Sequence, residues 1–336
     1  MCGITHPLSQ NQCHLRIVRY TSEYRAIWNH FLQRATHGSF LFHRDFMDYH
    51  QARFTDHSLL VYEGATLIAL LPAHEEEQVL CSHFGLSYGS IIQLPRLSFH
   101  QYLALVEAIA MHCQEEGLTT LLINEIPSIY NKLTTNTLAF ISHALQGGKP
   151  TVQLLSTLDF EFPIQLNTNR KRMVQKGIKK GYTIKEDLMP TAFWRDILQP
   201  RLRDRYQTSP VHSVAEISQL MQAFPESIKQ VNVYNAEGVL VGGTTLFIHP
   251  QVVHLQYIAG KEEDNKNGAL DLLIYTLLKE YQTQVRYFDF GSSHLSPKQL
   301  NAGLLYWKES FGARSTPQYC YSFQIENLLK VRALID

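Results

Sequence analysis

"LVYEGATLIALL" occupies residues 60–71 and "NVYNAEGVLVGGTTL" residues 232–246. Each is an apolar, β-branched run, a short turn carrying glutamate and glycine, and a second such run, which is the pattern of a β-hairpin. Glu63-Gly64 marks the first turn and Glu237-Gly238 the second, and Val61-Tyr62 matches Val233-Tyr234 at an offset of 172 residues. The two segments therefore pose one question, whether the chain is built twice.

What surrounds the hairpins repeats as well. A helical pattern at residues 21–33 precedes the first hairpin; after it, strong helical periodicity at 99–116, closed by Gly117, leads to the buried-strand pattern LTTLLINEI at 118–126. The second hairpin is followed by a strand at 251–260, a helix at 269–282 and the strand VRYFDF at 285–290. A common order of elements points to internal duplication. The expected fold class is α/β (α+β), two tandem domains, each a mixed, mainly antiparallel sheet flanked by helices. GGKP and a polar NTN stretch flank the strand-like TVQLLSTLDFEF between residues 147 and 169, so the domains are expected at 1–155 and 156–336.

With 336 residues the chain is too long for one ordinary core and suits two. Thirty basic and thirty acidic side chains cancel, so no whole-molecule field draws in nucleic acid, and DNA is not an expected partner. The start, MCGITHPLSQNQCHLRIV, has no basic leader with an apolar core, and no run of 18 apolar residues occurs. A cytoplasmic protein without a transmembrane segment is expected. Five scattered cysteines without CxxC suggest neither a disulfide framework nor a zinc site, and the sixteen histidines form no HxH cluster. No metal is expected.

Helix, hairpin, third strand, helix and fourth strand is the element order of the GNAT acyltransferase fold, in which two parallel strands splay apart at the centre. Specific residues add to this order. NRKRMVQKGIKKGYTI (residues 169–184), then FDFGSS (288–293) and LNAGLLYWKESFGA (300–313), resemble the Fem-type branch of the GNAT superfamily, with weaker similarity at FLFHRDFMDYH (40–50), SHFGLSYGSII (82–92) and SPVHS (209–213). This resemblance implies a double-GNAT acyltransferase that moves an acetyl or aminoacyl group to an amine of a cell-envelope or sugar-nucleotide precursor. It also implies that Lys308 belongs to the acyl-transfer site.

The residues can be read for themselves. Ser296 is expected to cap a helix that begins at Pro297 and stops at Gly312, with Leu300, Leu304, Trp307 and Phe311 as its buried stripe and Asn301 and Lys308 on the shoulder. Asp289, at the end of a buried strand, is either a turn cap for Ser292 and Ser293 or a general base. Acyl transfer to an amine needs a proton acceptor, donors for the carbonyl oxygen and a slot that excludes water. Lys308, Asp289 and His294 are the catalytic candidates, with Tyr257 an alternative for the proton.

Arg172, Lys176 and Lys179 form one basic stripe on a helix that Gly181 should end. The stripe is either a phosphate-binding surface or a solvated face. At the place of the coenzyme A loop the chain has KEEDNKNGALDLL (261–273). Gly268 and Ala269 are small enough for it, but Glu262, Glu263 and Asp264 would repel a diphosphate. Acetyl-CoA and aminoacyl-tRNA are therefore both retained as donors. Tyr257, Gly268, Ala269 and Asn301 are expected to contact the donor, while Arg44, His83, Tyr88, Arg172, Lys176, Arg205, Tyr206 and His212 are expected around the acceptor. The competing expectation is a non-catalytic module that binds a glycan or lipid headgroup.

Overall fold

The computed structural model describes residues 15–50, 53–82, 84–133, 137–145 and 149–335. Its strands are β1 (Leu15–Arg19), β2 (Thr55–Asp56), β3 (Leu59–Glu63), β4 (Thr66–Leu71), β5 (His74–Glu76), β6 (Val79–Cys81), β7 (Ile92–Gln93), β8 (Thr120–Asn124), β9 (Thr151–Asp159), β10 (Thr183–Asp187), β11 (Ile228–Tyr234), β12 (Leu240–Ile248), β13 (Val252–Gly260), β14 (Tyr287–Ser292), β15 (His294–Ser296), β16 (Gln299–Leu300) and β17 (Arg314–Gln324).

Both quoted segments are hairpins, β3–β4 and β11–β12, and they match in detail. The ladder register shifts between Val61 and Tyr62 in one and between Val233 and Tyr234 in the other. Matched residues also take matched partners, Ile17 opposite Val61 on β1 and Ile184 opposite Val233 on β10. Gly64 and Gly238 turn the chain at φ +59° and +76°, backbone that glycine adopts at least cost. A bulge bends a strand locally, so repetition of the bulge at the 172-residue offset is a stronger sign of duplication than the shared Val-Tyr.

In each half the helix after the hairpin delivers a strand parallel to an earlier one: helix Phe99–Glu115 delivers β8 beside β6, and helix Ala269–Tyr281 delivers β14 beside β13. The first helix is fixed at its start by a capping box between Ser98 and Gln101. The halves then exchange their next strands. β9, which follows β8, pairs with β14; β17, which follows β14, pairs with β8; and β9 and β17 pair with each other. One eleven-strand sheet results, in the order β10-β11-β12-β13-β14-β9-β17-β8-β6-β5-β2, beside the smaller sheet β1-β3-β4-β7. β9 therefore straddles residue 155.

Apolar side chains collect in three cores. One fills the first half around Leu103, Val106 and Ile109 and includes Tyr321 and Phe323 of β17. Another fills the second half around Leu273, Leu277 and Phe288. The third joins the halves, bringing Trp28, Phe42 and Phe46 together with Trp194, Ile217 and Phe247. Among the described residues no helix is long and apolar enough to cross a membrane.

The segment after β14 departs from expectation. Ser296 and Pro297 lie in the short β15–β16 hairpin, and the helix is Ala302–Glu309, capped by Asn301, whose side chain accepts from Leu304 N at 3.0 Å. Ser-Pro opens a turn as readily as a helix, and here pairing of His294 with Leu300 took the segment for a hairpin. Gly312 does adopt left-handed backbone beyond the helix, at φ +102°.

Candidate functional site

β13 and β14 pair over only three residues each, Val252–His254 with Tyr287–Asp289, and then separate. At this vertex Asp289 is fully buried and holds three groups together. Its Oδ2 accepts from Tyr130 Oη at 2.7 Å and from His254 Nδ1 at 3.0 Å, and its Oδ1 accepts from the Gly291 amide at 2.7 Å. Burial would raise the carboxyl pKa, but His254, Tyr130 and Gly291 outweigh it and hold the group below the ordinary carboxylate value. An ionised Asp289 fixes the proton of His254 on Nδ1 and leaves Nε2 as the basic nitrogen. A side chain at Gly291 would meet His254 Cε1 at 3.3 Å, so the imidazole lies flat along the backbone of β14 where the strands part.

Lys308 reaches the same backbone from the helix Ala302–Glu309. Its Nζ donates to Gly291 O at 2.8 Å and Ser292 O at 2.7 Å, and it is 3% exposed. Burial lowers its pKa to about 8, against a raising effect of Asp289. The expected half-sheltered lysine is thus fully enclosed. Its ammonium clamps the end of β14.

Beyond the vertex, β13 carries a bulge. Thr245 pairs with Tyr257 and Leu246 with Leu255, which leaves Gln256 as the extra residue. The far end of β13, Ile258–Gly260, lines a cleft of about 1140 Å³ together with the helix Thr168–Lys179, the helix Gln199–Tyr206 and the helix Ala302–Glu309. Arg170, Arg172, Arg201, Arg205 and Lys266 line it against Asp204, Glu262 and Asp271. Arg170 and Asp271, both buried, form an ion pair, and Trp307 Nε1 donates to Asp271 at 3.3 Å. Glu262 is shared between Lys266, at 2.9 Å, and Arg201, at 3.8 Å. The remaining charge on the cleft wall is positive and suits an anionic ligand.

Of the residues expected at the site, Arg172, Arg205 and Asn301 line this cleft, while Asp289 and Lys308 do not line it but are joined through Gly291, the one by its amide and the other by its carbonyl. Tyr257 and His212 meet each other, Oη to Nδ1 at 2.8 Å, beneath Trp194, and burial lowers the His212 pKa to about 4. The others are employed elsewhere. Lys176 donates to Lys266 O at 2.8 Å and so ties the acidic helix Glu262–Lys266 down. His294 accepts from the Leu154 amide at 3.0 Å through Nε2 and sits 3.1 Å from Ser296 O through Nδ1, which engages both ring nitrogens in holding the β15–β16 hairpin.

Gly268 and Ala269 do not line the cleft. A Cβ on Gly268 would stand 2.2 Å from Met173 O, and one on Gly177 2.7 Å from Gly268 O, so these glycines let two helices cross in backbone contact. Arg44 is buried in the first half, stacked on Tyr20 at 3.6 Å, paired with Asp48 at 2.7 Å and with Asp56. Tyr88 is packed against Phe42 and Tyr130. Neither reaches the cleft, because both face the core that the halves share. His83 and the side chain of Tyr206 lie outside the described residues.

Among the described residues the first half shows no matching gap. Where β6 and β8 would separate, Ser82 continues the pairing with its amide to Leu122 O at 2.8 Å, and Gly89 donates to Asn124 O at 2.7 Å. A Cβ at Gly89 would lie 2.3 Å from Ser82 O. Gly89 thus admits the chain's own backbone, and among the described residues the strands part in the second half.

His254, Tyr130, Gln256, Arg170 and Arg201 were not among the expected residues. His254 had a signal, a titratable residue inside the apolar run QVVHLQYIAG. Tyr130 had none, being 159 residues from its partner.

No protein-family model matches the chain, and no curated protein matches it in sequence. Solved structures do match. FemX is 11% identical, with a TM-score of 0.66 over 95% of this chain and 99% of that one. The C-terminal domain of a putative lysylphosphatidylglycerol synthetase from Agrobacterium fabrum is 12% identical, with a TM-score of 0.52 over 84% and 87%. A tandem GNAT protein from the clavulanic acid biosynthesis pathway is 11% identical, with a TM-score of 0.50 over 93% and 99%. Duplicated hairpins, splayed parallel strands and these likenesses agree: the chain has the Fem-type double-GNAT fold.

Proposed function

We propose that the protein is an acyltransferase that moves an aminoacyl group from an aminoacyl-tRNA to an amine on a phosphate-bearing cell-envelope precursor. The observation that carries this is the buried His254–Asp289 pair where β13 and β14 part, on the strand whose far end, Ile258–Gly260, lines the arginine-bearing cleft. The amine attacks the ester carbonyl while His254 Nε2 accepts its proton. The bulge at Gln256, where β13 has lost its β14 neighbour, offers backbone donors to the developing oxyanion. Collapse of the intermediate expels the ribose hydroxyl, which takes the proton back. No covalent enzyme intermediate is needed. Lys308 is a positioning residue, acting through the strand end that it clamps.

An RNA ester is favoured over acetyl-CoA because the place of the diphosphate loop is taken by the helix Glu262–Lys266, with three acidic residues in its first turn, and by the Gly268–Gly177 crossing. The envelope precursor as acceptor is supported by likeness to FemX and to the putative lysylphosphatidylglycerol synthetase. The test is transfer of radiolabelled amino acid from charged tRNA to a panel of amine-bearing nucleotide-sugar peptides and lipids, with acetyl-CoA in parallel. Acetyl transfer alone would correct the donor; binding without transfer by either donor would select the non-catalytic module.

A further inference from the structure

We infer that His74, Glu76 and Cys81 form a divalent-metal site, with zinc as the metal that suits its donors. The three come from one hairpin in the first half, far in function from the cleft. β5 and β6 pair antiparallel with His74 opposite Cys81, and Glu76, two residues along β5, falls on the same face as His74. One imidazole nitrogen, one carboxylate oxygen and the Cys81 sulfur all lie within 4.8 Å of one another. His74 and Cys81 are 2% and 1% exposed, whereas Glu76 is exposed. Two donors are therefore fixed and dry, and the third closes from the solvent side.

Chemistry and packing agree with such a site. One nitrogen, one sulfur and one oxygen is a borderline-soft set that suits Zn²⁺ rather than Mg²⁺ or Ca²⁺, with a water completing four-coordination. Tetrahedral bonds of ordinary length place donor atoms about 3.5 Å apart, so the pocket must contract by about an ångström. The exposed Glu76 side chain can do that without moving backbone. Phe54 and Phe84 pack on the His74 ring at centroid distances of 4.8 and 5.4 Å, which gives the site an apolar wall. The other imidazole cluster, His57 Nε2 at 3.0 Å from His112 Nε2, presents only two donors, with Glu75 bound to the far side of His57. The sequence did not disclose the site because its spacing is set by strand register and matches no linear motif.

The test is a Co²⁺ titration of the full chain after treatment with a chelator and a phosphine reductant. The expected result is a thiolate-to-cobalt charge-transfer band with tetrahedral visible bands, saturating at one equivalent and displaced by Zn²⁺. Cys81→Ser abolishes the band, Cys320→Ser keeps it, and Glu76→Gln, at an exposed position, weakens Co²⁺ binding by about tenfold or more. Absence of the band in the unmodified protein overturns the proposal. So does its survival in Cys81→Ser, its loss in Cys320→Ser, or unchanged affinity in Glu76→Gln. If circular dichroism shows Cys81→Ser to be unfolded, Glu76→Gln decides.

Discussion

His254 Nδ1 lies 3.0 Å from Asp289 Oδ2 across the last rung of the β13–β14 ladder, one residue before the strands part. A carboxylate on that nitrogen orients the ring and fixes its tautomer, with the other nitrogen free of the proton. His254→Gln is expected to lower kcat by about 10² to 10⁴-fold with KM little changed and the fold intact. Steady-state kinetics with circular dichroism checks this. Unaltered turnover would remove His254 from the reaction.

Asp289→Asn should fail differently. The amide presents a donor where Tyr130, His254 and Gly291 all donate, so transfer falls and the fold loses about 1–3 kcal/mol. The pH sign follows from the lowered folded pKa. Stabilisation by Asp289 is present above the ordinary carboxylate pKa and is lost as pH falls through the folded value. Urea unfolding of wild type and variant at pH 7 and in mild acid should show the difference shrinking on the acid side.

Lys308 carries a dependence of the same sign in a more alkaline window. Its folded pKa of about 8 lies below the ordinary lysine value of 10.5, so the unfolded chain holds more protons between those values and stability attributable to this residue rises with pH across that window. Relative to Lys308→Met, wild type should gain on the order of a few kcal/mol from pH 8 to above 10. At neutral pH the same substitution strips the donors from Gly291 O and Ser292 O, and transfer should drop through a displaced strand end. A flat difference between the two proteins from pH 8 to 10 would contradict the buried ammonium.

Cleft arginines should act on binding. Arg172→Ala and Arg201→Ala are expected to raise KM for an anionic substrate with kcat little altered. The salt dependence of binding should also flatten. Isothermal titration at two ionic strengths reads both effects.

Two glycines compare backbone strain alone with strain plus collision, since Gly64 and Gly268 both have positive φ. Gly64→Ala, at φ +59° with no atom within 4 Å of its Cβ, should cost about 1 kcal/mol. Gly268→Ala adds a Cβ at 2.2 Å from Met173 O and should cost several times more, because two helix backbones must separate. Paired thermal melts give the ratio, and near-equal losses would show that the crossing is loose.

Much of the architecture was legible because hairpins advertise themselves locally: alternating apolar residues around Glu63-Gly64 and Glu237-Gly238 specify two strands and a turn without help from the rest of the chain. The helix at 99–115 and the parallel strands were equally plain. The strand exchange was not, since nothing in the composition of β9 or β17 says which neighbour each will take. The site was half legible. Asp289 and Lys308 were singled out from a buried strand and an amphipathic helix, but Arg44 and Tyr88 drew notice as polar residues in apolar company. In this protein, the same appearance belongs to a guanidinium stacked on Tyr20 and to a tyrosine packed in the shared core. Whether a polar residue among apolar ones faces a cleft or an internal partner depends on contacts made across 100 residues or more.

β17 comes after every other described strand and lies between β9 and β8. Until residues 314–324 leave the ribosome, β8 and β9 each present a raw edge, so synthesis itself sets a deadline before which neither half can be sealed. A nascent chain stalled short of Arg314 should be a client for chaperones, and a stop codon there should be felt most strongly in the N-terminal half, nearly two hundred residues upstream.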